Sequence, residues 1–293
     1  SSLVTYQVGR EFMSKRIALI SILFLNSMPL WVQYSRYASP DLAYIFFVLL
    51  FILTLLRLTN DQKYPNHIRN IYQFIFGFSI GISILLRSFM VLLPLLGLIP
   101  YFFSTGFLKK NKTKIFIYLG FLIGNIPLIV SIIHSINTFG YIGVTNLFDF
   151  ATTKAVGGSI YKSLYFYPTT LLLLSFPTSL IVFVGYRSIL KNKDPAIRSL
   201  LVVSPSITLT ILCLISSRHS HYILVLYPLI ALATGLSFQY LIRQNNITLR
   251  TTKLIIGILF TSLGLVSSLI IISDKGNFTF IPKESLPINI IYI

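Results

Sequence analysis

Acidic residues are nearly missing from this chain: seven Asp and Glu stand against 24 Lys and Arg in 293 residues. Charged residues of both signs make up only 11%, where a soluble domain carries roughly 25%. So few charges cannot cover the surface of a water-soluble globule, and that class is excluded. There is one cysteine, Cys213, so no internal disulfide can form and the redox compartment is undetermined. Lying inside an apolar run, Cys213 reads as a small buried hydrophobe. No P-loop, GxGxxG turn, GxSxG elbow or metal-ligand spacing occurs. No signal-peptide pattern, fixed-period repeat or low-complexity segment is present either.

What the chain has is length of apolar sequence. Hydrophobic residues make up 55%, mean hydropathy is +0.81, and runs long enough to cross a bilayer recur between short charged pieces. In lipid the backbone can be satisfied only by helices or a closed barrel. The runs are continuous rather than alternating, so the expected fold is an all-α polytopic membrane bundle. Spans are expected at 17–33, 42–56, 71–86, 88–104, 115–135, 168–186, 199–216, 222–242 and 254–273, about nine in all. Residues 1–9 read as the end of an earlier span, so the chain is expected to be a single transmembrane domain, 1–293, lacking N-terminal helices.

The net charge of +17 would point to nucleic acid in a soluble protein, but here the basic residues sit between apolar runs and act as topology signals. Seventeen of the 24 fall in alternate connections: Arg10, Lys15 and Arg16, then Arg57, Lys63 and Arg69, then the Lys109–Lys114 group, then Arg187–Arg198, then Arg243, Arg250 and Lys253. The positive-inside rule places these in the cytoplasm and the poorer connections, with the C-terminus, outside. The outward stretch 136–167 carries Tyr141, Phe148, Phe150, Tyr161, Tyr165, Phe166 and Tyr167, and part of it is expected to lie along the interface as a helical segment. Gly77-x-x-x-Gly81 and Gly120-x-x-x-Gly124 are small-residue pairs suited to close helix packing.

Ionisable groups at a membrane boundary are costly and therefore informative. On the outward side they are Arg36 and Asp41, Arg87, and the run Ser217-Arg-His-Ser-His-Tyr222. Pro40 and Asp41 read as a helix start, where Asp41 could equally be a cap. Arg87 interrupts SILLRSFMVLLP and could equally mark a turn and snorkel to lipid phosphates. Arginine offers a planar fork for phosphate, and histidine adds a donor or moves a proton. Three arginines around one pocket would suit a lipid phosphate or pyrophosphate.

With these residues in view the sequence resembles the polytopic type C glycosyltransferases, related to aminoarabinose transferase and the dolichyl-phosphate-mannose protein mannosyltransferases. The resemblance rests on GREFMSKRIALISILFLNSMP, YSRYASPDLAYIFFVLLFILTLLR, LLRSFMVLLPLLGLIPYFF, SLYFYPTTLLLLSFPTSLIV and RHSHYILVLYPLIALATG, in that order, over about residues 1–242. It implies transfer of a sugar from a polyprenyl-phosphate donor to a glycan, lipid or protein acceptor on the extracytoplasmic face of a plasma membrane, bacterial by expectation. It implies Arg218, His219, His221 and Tyr222 at the donor phosphate, Arg87 as a second phosphate contact, and Arg36 with Asp41 lining the site, Asp41 as a catalytic carboxylate. The family's principal acidic residues belong to a first outward loop that precedes Ser1. Thr178 stands where a tryptophan is usual, and Arg87 where lysine is common. No cofactor or metal ligand set is expected, and divalent-metal dependence stays open. The competing readings are a transporter or lipid flippase, which should place charges at the midplane, and a non-catalytic scaffold. Convergence of Arg36, Asp41, Arg87 and Arg218 in one cavity is the observation expected of the enzyme.

Overall fold

The computed structural model describes residues 1–37, 39–60, 64–107, 115–142, 144–146, 149, 160–190, 194–215 and 218–244. The described residues form helices joined by short turns, with no strand among them. In chain order these are α1 (Ser2–Arg10), α2 (Lys15–Ser27), α3 (Pro29–Arg36), α4 (Pro40–Thr59), α5 (Asn66–Arg87), α6 (Leu92–Gly97), α7 (Ile99–Thr105), α8 (Ile115–Phe139), α9 (Ile160–Leu174), α10 (Thr178–Leu190), α11 (Pro195–Leu214) and α12 (Tyr227–Gln244). Two tight 3₁₀ segments, Ser88–Val91 and Ser220–Leu226, precede α6 and α12. Five helical stretches are long and apolar enough to cross a membrane, and a sixth joins them if the bent pair α2–α3 is one span. The chain is a multi-pass integral membrane protein.

Side-chain contacts fix how neighbouring helices run. Asp41 meets Arg87, Phe51 meets Phe76, and Arg57 lies over Tyr72, so α4 and α5 are antiparallel along their length. The chain then reverses at Ser88, whose φ of 47° ends α5. Such a φ is costly for a residue with a Cβ, by about 1 kcal/mol or more. Met90 returns to the Tyr44 end of α4, and Tyr101 reaches Thr59 at the other end. The stretch 88–105 therefore crosses back beside α4, as the expected span 88–104 requires, although 66–97 passes as a single stretch by length and composition alone.

The four paired glycines confirm the alternation. A Cβ at Gly77 would overlap the carbonyl oxygen of Ile117, and one at Gly120 would overlap that of Phe74. Gly81 meets Phe121 and Gly124 in the same way. The register advances together on both helices, so α5 and α8 run parallel and touch backbone to backbone. Parallel neighbours need a return crossing between them, which α6 and α7 supply. In lipid such contact is driven by close van der Waals packing, because the surrounding tails are as apolar as the helices.

Several expected boundaries are corrected. The span 17–33 breaks at Met28–Pro29, and α3 leaves α2 at 74°. Proline has no N–H for the i−4 carbonyl and pushes the residue before it to extended backbone, as at Met28 (φ −75°, ψ 124°). The span 168–186 is two helices: α9 starts at 160 and ends at Leu174, and α10 starts at Thr178. Tyr167, expected at the interface, is fully buried, while Tyr165 is exposed. Most of 143–159 lies outside the described residues, as do the span 254–273 and the C-terminus, so nine spans are not observed. In α11 the residues Ser199–Val203 widen into a π turn just before Pro205, and Ser204 Oγ donates to the carbonyl of Ser199. Such a bulge accommodates a ring that a regular helix would crowd.

Candidate active site

At one end of the bundle three chain segments meet. Ser39 precedes α4 and Pro40 opens it, the proline filling the first helical position where its missing N–H costs nothing. This start puts Asp41 in the first turn, buried. One carboxylate oxygen, Oδ1, takes the guanidinium of Arg87, the last residue of α5. The other, Oδ2, accepts from Ser39 Oγ at 3.1 Å. The third segment is the 3₁₀ turn from Ser220, in which residues three apart eclipse one another. His219, Tyr222 and Val225 thus share a row, and the His219 and Tyr222 rings lie 5.2 Å apart. His221 stacks at 5.2 Å from His219 and meets Tyr222 edge-on at 4.6 Å.

Asp41, Tyr44, Ile45, Arg87, Met90, His221, Tyr222 and Val225 line a small open cleft. A small apolar recess adjoins it, sharing Val225 and bounded by Val48, Ile52, Pro94, Leu98, Leu226 and Leu229, with Ser204 and Thr208 as its polar members. A polar, charged mouth thus opens beside a hydrocarbon-lined space.

Of the expected site residues, the structure brings Asp41, Arg87, His221 and Tyr222 onto one wall. His219 packs behind them against His221 and Tyr222. Arg36 is exposed at the end of α3, and Arg218 precedes the 3₁₀ turn beside Tyr167; both stand at the same end of the bundle but not on the cleft wall. Thr178, at the position usual for tryptophan, is buried, and its hydroxyl donates to the carbonyl of Phe24 on α2.

Three buried tyrosines that were not expected at the site hold this arrangement. Tyr44 donates to the carbonyl of Met90 at 2.8 Å and pins the turn after Arg87. Tyr34 on α3 hydrogen-bonds the Ser220 side chain, and its ring lies 6.0 Å from that of His221. Tyr167 on α9 hydrogen-bonds the His219 backbone. One signal was available for Tyr44: it follows Asp41 by three residues and so shares its helix face. Nothing comparable marks Tyr34, because its reach depends on the bend at Pro29. Among the described residues no three His, Cys, Asp or Glu side chains are grouped to hold a metal ion.

Residues 1–134 match the family model of dolichyl-phosphate-mannose-protein mannosyltransferases. The resemblance to these polytopic glycosyltransferases is thereby borne out, and the matched part carries α1 to α7, most of α8, and both partners of the Asp41–Arg87 pair. Two solved structures share the fold. ArnT from Cupriavidus metallidurans bound to undecaprenyl phosphate is 15% identical, with a TM-score of 0.67 over 81% of this chain and 43% of that one. The same protein in its apo state is 16% identical, with a TM-score of 0.62 over the same shares. The chain thus spans less than half the length of the ArnT structures it resembles. No curated protein matches the chain.

Proposed function

We propose that this mannosyltransferase-like chain holds the lipid-phosphate part of a membrane glycosyltransferase, which moves a sugar from a polyprenyl-phosphate donor to a glycan, lipid or protein acceptor on the extracytoplasmic side. The observation that carries the reading is the cleft where Arg87, His221 and Tyr222 converge from separate segments, beside an apolar recess. An anionic head with a hydrocarbon tail is the ligand that such a pair of spaces fits. ArnT, which shares the fold, has been solved with undecaprenyl phosphate. A transporter reading would need charges at mid-bilayer, and these stand at helix ends.

Sugar transfer breaks the bond between the anomeric carbon and the phosphate oxygen, and the electron pair stays on that oxygen. Donors already aimed at the leaving oxygen stabilise its charge without reorganising. In the proposal Arg87 and Tyr222 supply those donors, with His221 at their side. Asp41 serves as counter-ion to Arg87, because both its oxygens are engaged; to act as the catalytic carboxylate it would have to leave the guanidinium.

The test uses membranes bearing the whole protein and polyprenyl-phosphate-linked sugars, scored for release of polyprenyl phosphate. Arg87→Gln should cut transfer by roughly 10²- to 10³-fold, the scale for losing one such donor, with insertion unchanged. Arg36→Ala and Arg218→Ala, off the cleft wall, should cost only a few-fold. Movement of the donor lipid without cleavage by the wild type would decide for the transporter.

A further inference from the structure

We infer that Asp41 makes the cleft prefer a phosphodiester monoanion over a phosphomonoester dianion, so that the spent carrier is held more weakly than the loaded one. This rests on the proposed reading of the cleft as a phosphate site. The wall carries one cation and one anion, Arg87 and Asp41, already in contact. It is therefore close to neutral, unlike a simple arginine pocket. The other groups facing the pair are Tyr34 from α3, Tyr44 one turn along α4, and His221 and Tyr222 from the 3₁₀ turn. Arg36 and Arg218 stand away from the wall, where their charges act from farther off and through solvent.

A loaded carrier is a phosphodiester with one negative charge at any pH above about 2. Once the sugar leaves, the carrier is a monoester whose second ionisation lies near pH 6, so it carries about one more charge at pH 7.5. One guanidinium can serve the monoanion while still facing Asp41. The second charge meets the Asp41 carboxylate in a half-buried setting where, among the described residues of the wall, Arg87 is the one permanent cation and His221 is charged only toward acid pH. The charge that builds on the leaving oxygen is thus used in two stages: Arg87 stabilises it as the bond breaks, and Asp41 weakens its retention afterwards.

The test measures binding of two probes to the full chain in lipid nanodiscs: a short polyprenyl phosphate and its methyl phosphodiester, between pH 5.5 and 8. Neutral polyprenol is the control. A charge on His221 acts more strongly on the monoester dianion than on the diester, so the part played by Asp41 is read from the difference between the wild type and Asp41→Asn at each pH. The wild type should bind both about equally at pH 5.5 and favour the diester by about tenfold at pH 8. Asp41→Asn should erase or invert that preference, and Asp41→Glu should keep it. A wild type that favours the monoester at pH 8 overturns the proposal without any variant, and so does an unchanged ratio in a folded Asp41→Asn protein. If neither probe outbinds polyprenol, the phosphate reading of the cleft falls instead.

Discussion

Tyr44 is a phenol one turn into α4 with its hydroxyl on the carbonyl of Met90, at 2.8 Å and 4% exposed. Tyr44→Phe keeps the ring but leaves that carbonyl without its donor, which should cost about 1–3 kcal/mol. It should also loosen the turn that aims Arg87. A lowered thermal midpoint in detergent, together with weaker binding of polyprenyl phosphate, is the expected outcome; an unchanged midpoint would show that Met90 finds another donor. The residues with charge were legible from the sequence because a carboxylate or guanidinium is conspicuous among Leu, Ile and Phe. The tyrosines that orient them were not, since a phenol in an apolar helix is ordinary until its partner is known. The partnership of Asp41 and Arg87 was also hidden: they are 46 positions apart, and only the antiparallel pairing of α4 and α5 brings them together.

At the scale of elements, small residues decide how near two helices come, and prolines decide where one ends. Gly120 on α8 faces the Phe74 carbonyl of α5 so closely that an added methyl has no room against backbone. Gly120→Ala must push the helices apart along their whole contact, and overpacking of this kind costs about 1–3 kcal/mol. Cysteines at Phe78 and Phe121, which flank the contact, should then cross-link less readily in the Gly120→Ala background; equal cross-linking would mean the helices tolerate the methyl. The two glycine pairs could be read from sequence as packing signals, but not that each was the other's partner. The prolines were less legible. Pro127 lies inside an unbroken α8, whereas Pro29 ends α2 and throws α3 off at 74°. The same residue type does both, because neighbouring helices settle whether the freed carbonyl is met in line or after a bend. α3 is bent so that Trp31 and Tyr34 are buried against the bundle, and Tyr34 reaches the 3₁₀ turn of the site.

For the whole molecule, the order of crossings was written in the alternation of basic and poor connections, and the packing agrees with it independently. α4 and α5 are antiparallel, α5 and α8 are parallel, and α6–α7 cross between them, which is the alternation that the Arg57–Arg69 and Lys109–Lys114 groups demand. The opposite end from the cleft gathers Glu11, Arg57, Tyr72, Thr59 and Tyr101, with Arg57 paired to Glu11 at 2.8 Å. Packing alone gives the two ends but not which faces the cytoplasm; the proposed sidedness rests on the charge pattern, since lysine and arginine tend to be retained on the inner side. The assignment can be read with single cysteines. Cys213 is buried and the only native thiol, so Cys213→Ser gives a silent background. Asn111→Cys and Asn192→Cys, in basic connections, should react with an impermeant maleimide only when the inner face of the vesicle is open to it. Val156→Cys, in the poor connection between α8 and α9, should react only from the outer face. Because α4 and α6–α7 run one way and α5 and α8 the other, reversal at any one of these three positions would reverse the cleft with it, placing Asp41 and Arg87 on the cytoplasmic side and requiring a donor lipid presented from within the cell.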